Sequence, residues 1–287
     1  MTTNTITRCL VLVLALAAWT GCKKDGASTT PAAQSGDPVT LLAAGAEPQA
    51  PLRYKIADAT VTKSNMDFTM ATLATTTDAA ALSVVPGVRL HIVSGPTKTT
   101  DAGVQYEVDI TKAEAAVPPG VDPEVADDLR KSASILDGVG GTVVMNDRGM
   151  ILSAELNDRA KSPDIPVRLL TMIVNARTTL SRVLLPAEPI GVGGRWEARK
   201  EIELYGFKIS QVDTYTLVER VGDEIKLNVS VSQMAVPQTV DFPEDGLSIA
   251  VEEMTANANG QIILNLNALE SDAAASGQSL DKIAVTG

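Results

Sequence analysis

Apolar and polar residues alternate along most of this chain, the two-residue period of half-buried strands. Leu52, Tyr54 and Ile56 set the rhythm, followed by Val88, Leu90 and Ile92 and then by Val104, Tyr106, Val108 and Ile110. The connection between the last two runs, SGPTKTTDAG, is dense in turn formers and predicts an antiparallel hairpin. Gly141 to Asn157 repeats the pattern around a turn at Asn146-Asp147-Arg148-Gly149. Further strands are expected at 194–204, 207–220, 224–234, 247–257 and 260–268, with a short last one near 280–285. Glu219 to Glu224 and Asn257 to Gly260 are expected to be tight turns.

Two segments change to a helical period. Asp122-Pro123-Glu124 supplies an N-cap, a first-turn proline and an acid at the positive end of the dipole. Val125, Leu129, Ala133 and Leu136 then share one face, and Gly138 closes the segment. A second helix is predicted from about 165 to 185, with Leu169, Ile173, Ala176, Leu180 and Val183 as its stripe and Pro186 as its stop. Strands, helix, hairpin, helix and strands, without a fixed-period repeat, predict an α+β, mainly β fold. Its form is a curved antiparallel sheet or half-barrel with two helices packed on it. Residues 52–287 are expected to make one such domain, with two sub-lobes meeting near the second helix as the alternative.

The amino terminus follows a different logic. Arg8 is followed by an eleven-residue apolar run, Cys9 to Trp19, shorter than the about 20 residues a helix needs to cross a bilayer core. That length suits the apolar region of a signal peptide. Thr20-Gly21-Cys22 resembles the lipobox of bacterial lipoproteins, with Trp19 where that family usually has Leu or Val. The resemblance implies that residues 1–21 are a leader and that Cys22 is the lipidation site, carrying palmitate-type acyl groups. Two or three acyl chains anchor a protein stably where one does not. Lys23 stands where an Asp would imply inner-membrane retention, so the expected place is the bacterial envelope, periplasm-facing by export and at the outer rather than the inner membrane, with the leaflet left open. Residues 22–51 are rich in Ala, Ser, Thr, Gly and Pro and predict a flexible tether spanning roughly 30 Å. Within it, Leu41 and Leu42 are the pair that could dock on the domain.

The chain has 287 residues, with 24 basic against 35 acidic and a net charge of −11. Loss of Arg8 with the leader takes the basic count to 23 and the net charge to −12. Such a surface repels phosphates, which argues against nucleic acid as a partner and against docking on anionic headgroups. Two cysteines and one histidine leave almost no scope for disulfides, thiol catalysis or a His-rich metal centre. No cofactor and no metal is expected.

Catalytic candidates are thin. His91 lies between Leu90 and Ile92, on the wetter face of its strand. Glu201 with Glu203, Glu252 with Glu253 and Asp127 with Asp128 are the carboxylate pairs that a hydrolase could use. Asp241 to Gly246 lacks the alternating ligands of a calcium loop and is expected to be a turn. Pro189 to Trp196 (PIGVGGRW) is the most distinctive run, and a flexible lead-in that lets Trp196 pack is its expected role.

Cys22, Tyr54, Leu185-Pro186, Val192 to Trp196 and Tyr215 to Leu217 together resemble a family of uncharacterised bacterial lipoproteins that carry a domain of unknown function. The resemblance implies location and architecture and brings no activity. The expectation is a non-enzymatic, membrane-anchored lipoprotein that binds a hydrophobic ligand against Val, Ile and Leu side chains. Trp196 and Tyr215 are its candidate ligand-binding residues. An envelope scaffold that meets another protein is the alternative, and a carboxylate-based hydrolase ranks third.

Overall fold

The computed structural model describes residues 7–8, 36–75, 80–117, 120–165, 170, 182–204, 206–242, 247–269 and 272–286. In chain order its elements are β1 (Thr7–Arg8), β2 (Val39–Ala43), β3 (Thr62–Thr75), β4 (Ala80–Ser94), β5 (Lys98–Thr100) and β6 (Gly103–Ala116). Then come α1 (Pro123–Ser134), β7 (Gly140–Met145), β8 (Ile151–Leu156), β9 (Arg195–Leu204) and β10 (Phe207–Val221). β11 (Glu224–Ala235), β12 (Gln238–Phe242), β13 (Leu247–Asn265) and β14 (Asp272–Thr286) complete the chain.

The strands form a curled, half-barrel sheet in the order β2-β9-β10-β11-β13-β14-β1-β3-β4-β6-β7-β8, with β12 beside β13 and β5 beside β6. Neighbours run antiparallel except at β1, which pairs parallel with both β14 and β3. This is the mainly β architecture that the alternation predicts. One core draws Tyr106, Val143 and Met145 from one part of the sheet and Trp196, Tyr215, Leu217, Ile225 and Leu227 from another. Strands distant in the sheet order therefore share an interior, as curling requires. A second core packs Ala133 and Leu136, at and just after the end of α1, with Leu90, Ile92 and Ile110.

α1 begins as its signals dictate, the Asp122 side chain accepting from the Glu124 N–H at 2.8 Å with proline in the first turn. Of the predicted stripe, Ala133 and Leu136 are buried and Leu129 is half-buried; only at its first turn does the stripe depart. Ala126 and Ala133 face the core, whereas Val125 is 51% exposed. Alanines let the helix approach the sheet closely, and that contact outweighs the larger side chain. Gly138, at φ 78°, takes the left-handed turn after the helix. Most of the second predicted helix (166–169 and 171–181) lies outside the described residues. Leu170 is helical and buried, and from Arg182 the chain is neither helix nor strand, four residues before the expected stop at Pro186.

Strand positions differ from expectation in several places: β3 and β12 lie where no strand is expected, β4 begins at Ala80 rather than near Val88, and β14 begins at Asp272 rather than near 280. Leu52, Tyr54 and Ile56 are buried in alternation but join no ladder; instead the Tyr54 and Lys55 N–H groups donate to Asp147 O and Leu266 O. Asn257 to Gly260 is no turn: it runs through the middle of β13, with Gly260 opposite Val229 on one side and Ala275 on the other. Partners on both sides satisfy its backbone and override a local turn preference. The sheet also starts earlier than expected, since β2 lies inside the stretch read as tether and pairs Leu41 with Trp196. Asp37 holds the start of β2, accepting from Arg148 at 2.7 and 3.0 Å, and the guanidinium keeps its carboxyl below the ordinary range.

In Pro189 to Trp196, Gly191 and Gly194 are required by close packing and Gly193 by its left-handed φ of 80°. Gly191 N donates to Ala44 O at 2.8 Å and Ala46 N to Val192 O at 2.9 Å, so the two backbones nearly touch. A Cβ on Gly191 would stand 1.8 Å from Ala46 O. Gly191→Ala should therefore lower stability by about 3 kcal/mol, the upper end of overpacking costs. Urea unfolding would measure the loss, and proteolysis within 39–50 should accelerate; an unchanged midpoint would show that the contact relaxes freely. Among the described residues no helix is long and apolar enough to cross a membrane.

Candidate functional site

Residues 182–187 thread through the half-barrel interior without joining a ladder, with Val183, Leu184 and Leu185 buried. Buried carbonyls that no strand satisfies need side-chain donors. Here six consecutive carbonyls have them. Lys200 Nζ donates to Arg182 O (3.2 Å), Tyr54 OH to Val183 O (3.1 Å) and Trp196 Nε1 to Leu184 O (2.8 Å). Arg148 Nε donates to Leu185 O (2.8 Å), and Arg53 donates to Pro186 O (2.8 Å) and Ala187 O (2.6 Å). Tyr54, Leu185-Pro186 and Trp196, far apart in the chain, thus meet at one place.

Trp196 and Tyr215 stack with ring centroids 5.3 Å apart and an interplanar angle of 27°. Both are buried in the core, so these two candidate ligand-binding residues line the inside of the fold rather than its surface. The Trp196 N–H is already committed to the threaded segment.

Beside this stack lies a buried polar cluster. Lys200 Nζ stands 2.7 Å from Asp213 Oδ2, the two side chains 6% and 4% exposed. Tyr215 OH donates to Asp213 Oδ2 at 3.0 Å and Gln211 Nε2 to Oδ1 at 2.6 Å. Burial, with the Asp213 charge next to it, pushes the Tyr215 phenol well above its ordinary value and keeps it a donor. Gln233 Nε2 donates in turn to Gln211 Oε1 at 2.7 Å. Lys200, Gln211 and Gln233 are direct register partners on β9, β10 and β11; the Gln233–Gln211 bond runs straight across the sheet, whereas Lys200 reaches Asp213 diagonally and Gln211 meets it along β10. Gln233 is 2% exposed and its Oε1 has no partner. Nearby, Arg182 Nη2 donates to Tyr106 OH at 2.8 Å and Nη1 donates to Leu269 O, tying the threaded segment to β6.

This cluster was not singled out from the sequence, yet a signal existed. In β10, Phe207, Ile209, Gln211, Asp213, Tyr215 and Leu217 all occupy the inward phase, and two of them are polar. Lys200 interrupts the inward phase of β9 and Gln233 that of β11 in the same way. Polar residues in the buried phase of an alternation mark an interior network.

The other candidates do not converge on it. His91 is half-buried, its Nε2 3.0 Å from Glu114 Oε2. Glu114 also accepts from Lys112, and these two partners hold its carboxyl down to about 2. Glu201 and Glu203 are exposed on the outward face of β9. Glu252 and Glu253 are both exposed as well, because a register shift between Val251 and Glu253 breaks the alternation that would have opposed them. Asp127 and Asp128 pair with Arg130 and Lys131 one helical turn on. In the Asp241–Gly246 segment, 243–246 lie outside the described residues; Phe242 and Leu247 on either side are antiparallel partners. Cys22 also lies outside them. Among the described residues no group of three His, Cys, Asp or Glu side chains could hold a metal ion.

Chemically, the cluster holds its own charges and offers one unmet capacity, the Gln233 acceptor. Comparisons with family models, with curated proteins and with solved structures find no match to this chain.

Proposed function

We propose that this protein is a lipid-anchored lipoprotein of the bacterial envelope, of non-enzymatic type, that binds a hydrophobic ligand on the inward face of its curled sheet. The observation that carries the ligand is a difference in filling. The inward residues of β9 and β10, from Trp196 and Ala198 to Ile209 and Tyr215, are buried. On β11 and β13 the inward-facing Val231, Ala256, Gly260 and Ile262 are only half-buried, so apolar surface stays accessible inside the half-barrel. Apolar concave surface with a few convergent polar groups is the ordinary makeup of a small-molecule site.

The anchor rests on the apolar run and Thr20-Gly21-Cys22. Removal of residues 1–21 also takes away Thr7–Arg8, which alone among the described residues links β14 to β3. The two edges would then face each other about 10 Å apart, twice the ordinary strand spacing. That slot would be the way into the interior.

Cells grown on labelled palmitate should incorporate the label into the wild-type chain and lose it in Cys22→Ser, and the mature chain should begin at Cys22. An unlabelled wild type would overturn the anchor. Native mass spectrometry of the purified protein should show a releasable hydrophobic adduct; persistent absence after incubation with cell lipids would count against the ligand.

A further inference from the structure

The Gln233 orphan is imposed by charge. A carboxylate only accepts, so Asp213 obliges Gln211 to turn its NH2 toward Oδ1, at 2.6 Å. The Gln211 carbonyl is then left to accept from Gln233 Nε2, at 2.7 Å. Each amide is oriented by the one before it, and the relay ends on Gln233 Oε1, buried and without a partner. Flipping either amide would set two oxygens against each other. A buried acceptor left unmet is costly, which makes the position a ready place for a donor from outside the chain.

The next register position is small. Gln233 pairs with Ala256, whose neighbours on the same face are the buried Met254 on one side and Ala258, then Gly260, on the other; the β14 register partners of Ala256, Ala258 and Gly260 are Ser279, Gly277 and Ala275. On the side away from Met254, Gln233 thus adjoins a run of small inward residues on β13, where Val231 on its own strand and Ala256 and Gly260 opposite are half-buried.

We infer that Gln233 Oε1 is the polar end of a ligand site for an uncharged amphiphile whose head carries a hydroxyl or amide N–H donor, its tail lying along Ala256, Ala258, Gly260 and Ile262. This rests on the hydrophobic-ligand reading above and names the chemical class. A free fatty carboxylate is excluded by the same geometry, since it brings only acceptors to an acceptor and a second negative charge toward Asp213.

The test uses the whole mature chain, residues 22–287 with Cys22→Ser so that no acyl group is attached. Three ligands of matched tail length are titrated at pH 8: decanol, decyl methyl ether and decanoate. Decanol should bind about tenfold more tightly than the ether, the worth of one buried hydrogen bond. Decanoate should bind no better than the ether. Gln233→Leu should bring decanol down to the ether's affinity and leave the ether unchanged, and the wild-type series alone decides the matter if that variant fails to fold. Equal binding of all three ligands, or tightest binding of decanoate, overturns the donor site while the hydrophobic-ligand reading survives. Binding of none overturns both.

Discussion

Lys200→Met should lower the unfolding free energy by about 3 kcal/mol, the cost of breaking one side of a buried ion pair. Asp213 keeps its donors Tyr215 and Gln211, which holds the loss at the lower end of that range. Arg182 O, however, loses its Lys200 donor. The second mutation tells whether charge is the cause. In Lys200→Met/Asp213→Asn no charge of the pair remains, and the new amide can still accept from Gln211 while its NH2 donates to the Tyr215 oxygen. The double variant should therefore recover at least half of the loss in urea unfolding. Strictly additive effects of the two single changes would show that the pair is not coupled, against its 2.7 Å separation in the core.

Trp196→Ala should cost about 4 kcal/mol, typical of a large aromatic removed from a core that cannot collapse. Trp196 is fully buried between the Tyr215 ring and the threaded segment. Trp196→Phe separates its two roles. The phenyl ring can keep the stack on Tyr215, while Leu184 O loses the indole donor, for a cost of about 1–3 kcal/mol. Both variants are best followed by far-UV circular dichroism, since removing Trp196 removes the fluorophore of the mature chain. If Trp196→Phe were as damaging as Trp196→Ala, the hydrogen bond to Leu184 O rather than the ring stack would be the indole's main contribution.

These effects explain which parts of the molecule could be read in advance. Alternation located β7, β8, β9, β10 and β11 nearly to their ends and only parts of β4 and β6, because a half-buried strand writes its burial into consecutive residues. It also marked Leu52, Tyr54 and Ile56 as buried, but not that their backbone would leave the ladder. Burial is a property of side chains, whereas ladder membership needs a neighbour at the right distance. Asn257 to Gly260 misled for the related reason that turn preference is local and weak once strands flank both sides. The burial of Ala126 in place of Val125 in α1 followed from how closely alanine lets a helix approach, a fact about the opposing sheet.

The candidate site was less legible. Trp196, Tyr215 and Tyr54 stood out as residues, yet their purpose appears only where residues 182–187 pass between them. The network from Lys200 through Asp213 and Gln211 to Gln233 comes from three strands, and its donor direction follows from Asp213 on the middle one. The amino-acid sequence alone determined the strand content, the helix cap at Asp122 and the strongly acidic balance, since each depends on neighbours within a few residues or on simple counting. The tertiary structure decided the curl, the early start of the sheet at Val39, the paired exposure of Glu252 and Glu253 and the orphan acceptor at Gln233. Each of these depends on which distant backbone or charge comes to lie alongside, and no short-range pattern encodes that distance.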